Sequence, residues 1–290
     1  MSSIQHLISP TASDVGFPVQ RLLPAAEVQS VGPFVFFDHM GPAPFAREGT
    51  AGDVRPHPHI GLATVTYLYS GAMIHRDSLG SVQRIEPGAI NLMAAGRGIV
   101  HSERVPADIR ASQIPVHGIQ IWLALPAEHE EMKPAFHHYP AAALPAFAAE
   151  GVSLRLLIGA AFGLISPVIA YSPTFQADVE LAAGAVLELP PDYPERGVYL
   201  AEGRLRVAET PLEPGHLAVL TPGRPVRLEA ETAARLMVVG GEPLDDRRFL
   251  YWNFVARDRE RIEAAKADWV AGRFAPVPGE TEFIPPPWRR

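Results

Sequence analysis

A chain of 290 residues is long enough for about two domains, each with a core of its own. Its composition, 47% hydrophobic and 20% charged, is that of an ordinary folded protein, and a net charge of −7 at pH 7 argues against the basic face that neutralises nucleic-acid phosphates. There is no cysteine, which excludes disulfides, thiol catalysis and thiolate metal ligands, so any metal site must be built from histidine and carboxylate.

The N-terminal residues lack the pattern of a secretory signal, and no apolar run approaches the roughly 20 residues of a membrane-spanning helix; the expectation is a cytoplasmic protein without membrane attachment. Thirty prolines and 24 glycines divide the chain into short segments, many of which alternate apolar and polar residues. In chain order, Leu62 to Leu68, His117 to Leu123, Arg204 to Val207 and Ala234 to Val239 read as strands, a pattern of sandwiches or barrels. Pro126 to Met132 reads as a short helix, and Pro140 to Glu150, rich in Ala and Pro, as a linker between halves. From Asp258 to Arg273, Ile262, Ala265, Trp269 and Val270 fall on one face at helical spacing, which predicts a helix near the C-terminus.

An internal repeat organises these elements. The segment Ile85 to Arg97 matches Leu212 to Arg224, and upstream Tyr67 to Gly71 matches Tyr199 to Gly203. Two matches in the same order indicate a duplicated β-domain, with an expected division into residues 1–135 and 136–290.

His57-Pro58-His59 places two imidazoles at positions i and i+2, which project from one face of a strand. His101 and Glu103 repeat that spacing after a turn expected at Gly96 and Gly98. Either pair alone is common in polar loops. Counting from the shared glycines of the repeat, however, His57, His59, His101 and Glu103 fall on Leu189, Pro191, Leu228 and Ala230. Four polar positions in one copy and none in the other indicate a metal site in the first domain. Three nitrogens and one carboxylate suit Fe(II), with Mn, Ni, Cu and Zn as alternatives. His117, Gln120 and Trp122 are candidates to line the cavity or to pack in the core, and Asp38 and His39 to orient a ligand imidazole or to form a turn. His137-His138 reads as an exposed loop pair, His75 as a surface residue, and Trp252 and Phe254 as packing.

The ordered set His57-Pro58-His59, Gly71 and Gly96 to Glu103 resembles the paired metal motifs of the cupin superfamily. With Phe36 to Pro42 before it and His117 to Trp122 after it, the pattern resembles the pirin family of bicupins over residues 15 to 130, and more loosely to about 255. Ala63-Thr64 stands where the general cupin pattern has a glutamate; in pirins the later glutamate is a ligand, which points to Glu103. The resemblance implies an all-β fold of two jelly-roll cupin barrels packed together. It also implies an iron-dependent dioxygenase that opens the ring of flavonols such as quercetin with dioxygen, Glu103 serving as ligand and proton acceptor. The alternative it carries is a non-enzymatic, metal-binding regulator acting through a protein partner.

Overall fold

The computed structural model describes Ser2 to Arg289, with backbone alone at Arg289. Strands make up about half of the described residues, which also hold two α-helices, Ala107–Ser112 and Arg259–Val270. None of the helices is long and apolar enough to cross a membrane.

The chain forms two compact units that interleave in sequence. One, the first barrel, consists of residues 13–19, 38–141 and 245 onward; the other, the second barrel, consists of the N-terminal residues through Ala12 together with 20–37 and 142–244. The single cut expected at 135/136 does not describe these units, and strand pairing gives the reason. Ile4–Ile8 is an edge strand against Leu217–Leu220 of the second barrel, whereas Ala135–Tyr139 takes the matching place against Ile90–Ala94 of the first. Backbone hydrogen bonding draws each terminal segment to the sheet edge that needs a partner.

The repeat is visible in the strand order. In the first barrel, Val54–His59, Ile99–Arg104, Met73–Asp77 and Val82–Ile85 are successive neighbours in a four-stranded antiparallel sheet. In the second barrel the same order is taken by Val186–Leu189, Val226–Ala230, Leu205–Val207 and Thr210–Leu212. Register then gives a firmer correspondence than counting residues. His101 lies opposite His57 and Ile99 opposite His59; Leu228 lies opposite Leu187 and Val226 opposite Leu189. His57 and His59 therefore correspond to Leu187 and Leu189, two residues earlier than the glycine count places them. The extra residues sit in the loop between Leu189 and Glu195, which is longer than the Ile60-Gly61 link of the first copy.

Leu62–Ser70 is buried over most of its length on both faces, because its alternating residues face the two sides of a closed layer and neither side is solvent. Thr64 and Thr66 pair with Trp122 and Gln120 of the neighbouring strand Val116–Ala124. The C-terminal helix spans Arg259–Val270, capped by Asp258, whose carboxylate accepts the Glu260 N–H at 2.7 Å. Ile262 and Ala265 are buried, and Trp252, Phe254, Trp269 and Phe274 gather in the same apolar cluster, in keeping with their spacing.

Three local expectations are corrected. Pro126 to Met132 is a run of turns and not a helix, and it ends where Met132 donates to the His129 carbonyl. His137 and His138 lie on the half-buried strand Ala135–Tyr139, and His138 meets Asn91 Oδ1 at 2.7 Å. The stretch from Pro140 to Glu150 contains a short 3-10 turn, Ala141–Ala143, and a strand, Ala146–Ala149, paired with Val152–Ala161.

Candidate metal centre

The site is built on two adjacent strands of the first barrel's four-stranded sheet. His57 and His59 project from one face of Val54–His59, and His101 and Glu103 from the same face of Ile99–Arg104. A tight turn sets the second strand. Gly98 donates to Ala95 O at 2.9 Å, and Gly96 holds a φ of +50° with the Met132 carbonyl where a Cβ would stand, 2.2 Å away, so glycine alone fits. The first strand carries an irregularity: Glu103 lies opposite Val54, although His101 lies opposite His57. The extra residue falls at Arg55-Pro56, and the Arg55 carbonyl there meets His57 Nδ1 at 2.8 Å.

The ring nitrogens of His57, His59 and His101 converge, one from each ring within 4.8 Å of the others. Their ring centroids are 4.4 to 5.0 Å apart, and His59 Nε2 lies 3.1 Å from His101 Nε2. The tautomers follow from the partners. A carbonyl only accepts, so His57 Nδ1–H donates to Arg55 O and His59 Nδ1–H donates to Asn253 O at 3.2 Å. In a neutral ring that leaves Nε2 as a bare lone pair. Burial holds His57 down at about 4, the Arg55 bond acting against it and His75 with it. Burial and the neighbouring imidazoles hold His59 and His101 well below the usual histidine range. At neutral pH the three rings are thus unprotonated donors.

Glu103 is buried and stands outside the three-histidine cluster. Gln120 Nε2 donates to its Oε1 at 2.8 Å. Burial pushes the Glu103 carboxyl up to about 7, although hydrogen bonds from Gln120 and Thr66 favour the charged form. Trp122 sets its ring edge-on to His59 with centroids 5.0 Å apart. Of the three cavity candidates, then, Gln120 and Trp122 lie at the site. His117 does not: its Nε2 meets His39 Nε2 at 2.7 Å in a separate stacked pair. His39 is no turn residue; with Asp38 it lies buried on the strand Phe34–Ala43.

His75 is the largest departure from expectation. It is 5% exposed, not a surface residue; Phe136 stacks on it at 4.2 Å, and its Nδ1 lies 3.3 Å from His101 Nδ1. Its Nε2 is 2.9 Å from Asp77 Oδ2. The alternation His75-Arg76-Asp77 was the available signal, since i and i+2 share a face. Asn253, by contrast, gave no signal in sequence.

Residues 16–123 match the family model described as pirin, and residues 176–275 match that of the pirin C-terminal cupin domain. The chain belongs to the pirin family. A pirin-like protein of Caulobacter vibrioides is 47% identical over 94% of this chain and 96% of its own length. Human pirin is 31% identical over 88% of this chain and 87% of its own. Among solved structures, a quercetin 2,3-dioxygenase from Acinetobacter baumannii superposes with a TM-score of 0.90 at 33% identity, covering 97% of this chain and 94% of that one. The bicupin architecture of the pirin family thus accompanies a three-histidine site in the first barrel.

Proposed function

We propose that His57, His59, His101 and Glu103 hold one Fe(II) ion, and that the protein is a dioxygenase opening the heterocycle of flavonols such as quercetin. The convergence of three imidazole lone pairs in a buried pocket carries this reading. Bare acceptors that face one another at about 3 Å repel unless a cation lies between them, and each Nδ1–H is already committed outward. The donor set fits a divalent transition ion, for which Mn, Ni, Cu and Zn are the alternatives to iron. The solved quercetin 2,3-dioxygenase at 33% identity supports the choice of reaction. A bound metal would supply a Lewis acid that lowers the pKa of the flavonol 3-hydroxyl and holds the ring for dioxygen.

The remaining work falls to the chain's own groups. Glu103, buried beside the three histidines, accepts the proton of the 3-hydroxyl as a carboxylate. Gln120 pins one carboxylate oxygen, which aims the other. Trp122 packs its ring against His59 and holds that imidazole in place.

The experiment is oxygen uptake by the iron-loaded protein with quercetin, with rates normalised to measured iron. Glu103→Gln keeps size and one oxygen donor but loses the basic site, and turnover per iron is expected to fall by about 100- to 10,000-fold. Unchanged turnover in that variant overturns the role of Glu103. No uptake by the wild type overturns the activity.

A further inference from the structure

Each of the three imidazoles needs its Nδ1–H held so that Nε2 is presented to the ion. Backbone carbonyls do this for His57 and His59. For His101 the partner is a side chain, His75, which is backed in turn by Asp77. We propose that His75 and Asp77 act as positioning residues for His101, a carboxylate–imidazole relay that fixes its metal-binding tautomer and strengthens it as a donor. This inference rests on the metal reading above.

The direction of the relay follows from what each atom can do. Asp77 Oδ1 accepts two backbone N–H groups, from Leu79 at 2.9 Å and Ser81 at 3.0 Å. That leaves Oδ2 to accept His75 Nε2–H at 2.9 Å. A neutral imidazole that donates from one nitrogen accepts at the other, so His75 Nδ1 receives the Nδ1–H of His101 at 3.3 Å. His101 Nε2 is then the lone pair that faces His59. Asp77 is 0% exposed, so water does not compete for its oxygens, and the stacked Phe136 ring, inclined by 12°, fixes the plane of His75.

The second barrel gives an independent observation. His75 lies opposite Glu103 and Asp77 opposite His101; in the other copy Leu205 lies opposite Ala230 and Val207 opposite Leu228. Both relay residues are thus polar in the copy with the histidine cluster and apolar in the copy without it. A pair serving only to hold the sheet together would be needed equally in both.

The test is a double-mutant cycle read by Co(II) affinity of the full-length protein. Asp77→Asn turns an NH2 group toward His75, because its oxygen is held by Leu79 and Ser81. His75→Phe keeps a ring on Phe136 but removes the acceptor. Each single change is expected to weaken Co(II) by about 10- to 100-fold, the usual effect of removing such outer partners. The double variant is expected to bind no more weakly than the worse single, because the two residues act as one unit. In the Zn(II)-loaded protein the far-downfield proton resonance of His101 Nδ1–H is expected to move upfield in both. Should Asp77→Asn fail to fold, His75→Asn decides: it retains an acceptor oxygen near the position of Nδ1 and should keep most of the affinity that His75→Phe loses. A wild type that binds Co(II) while both singles are unchanged, or while their costs simply add, overturns the relay alone. A wild type that takes up neither Co(II) nor Zn(II) overturns the metal reading and the relay with it.

Discussion

The two barrels share one strand order and fill it with opposite chemistry. On the face of the first barrel's four-stranded sheet that carries the site stand His57, His59, His75, Asp77, His101 and Glu103. At the matching register positions of the second stand Leu187, Leu189, Leu205, Val207, Leu228 and Ala230, all in a single apolar core. The larger sheet continues the contrast: Thr66 pairs with Gln120 in the first barrel, where Val198 pairs with Val238 in the second. The same backbone can therefore be stabilised by apolar burial, or it can carry a polar interior at a cost of about 1–3 kcal/mol for each poorly satisfied group. The first barrel is held together beside the site, by residues such as Leu68, Met73, Ile85 and Val116, and the rest of that interior is left for chemistry.

The comparison breaks most visibly at the proposed ligands. His101→Leu, which copies Leu228, should lower metal affinity by about 4 kcal/mol, near 1,000-fold, a quarter share of a typical four-ligand site. It should also leave the metal-free protein as stable as the wild type or more so. Metal analysis after dialysis, together with melting of the metal-free protein, checks both halves; a fully loaded His101→Leu protein would remove the ligand assignment. The reverse change, Leu228→His, puts an unpartnered polar ring into a fully buried apolar position and should destabilise the second barrel by about 3 kcal/mol without creating a metal site. Denaturant unfolding measures that loss.

The smallest expected effect is on pH dependence. Metal-free Glu103 titrates at about 7 in the folded protein, against an ordinary 4.5 in the unfolded chain. Because the folded pKa is raised, the folded state binds the proton more tightly; the contribution is fully present below about pH 4.5 and is lost as pH rises through about 7. Glu103→Gln lacks this contribution. Its stability relative to the wild type should therefore increase between about pH 5 and pH 8, by on the order of 1–3 kcal/mol. Paired denaturation curves at the two pH values read the difference directly, and a gap that stays constant would show that Glu103 is solvated.

Much of this contrast is legible in the amino-acid sequence. The repeat, the alternation of strand residues and the two His-x-His and His-x-Glu pairs are local patterns, and local patterns survive in sequence. What is lost is whatever depends on which strand lies beside which. His75 reads as a surface residue because Arg76 and Asp77 flank it; it is buried because Ile99–Arg104 pairs with its strand and Phe136 stacks on it from a strand some 60 residues on. Likewise, the two-residue error in matching His57 to the second copy arises because loop length drifts freely while sheet register is pinned by side-chain facing. His117 shows the same limit: it is close in sequence to Gln120 and Trp122, yet it stands an odd number of residues from both, beside a register irregularity, and its ring meets His39.

The carbonyl of Asn253 has a consequence for biosynthesis. His59 relies on a residue 194 positions downstream, carried by the segment that returns to the first barrel after the second has been completed. The same return segment hydrogen-bonds Ile60, through the Val255 N–H, and packs Phe254 against it. Until that segment has been made, His59 lacks the carbonyl that holds its Nδ1–H. The proposed ligand set is therefore complete only after the second barrel has been synthesised, and a chain cut short there would lack a finished site.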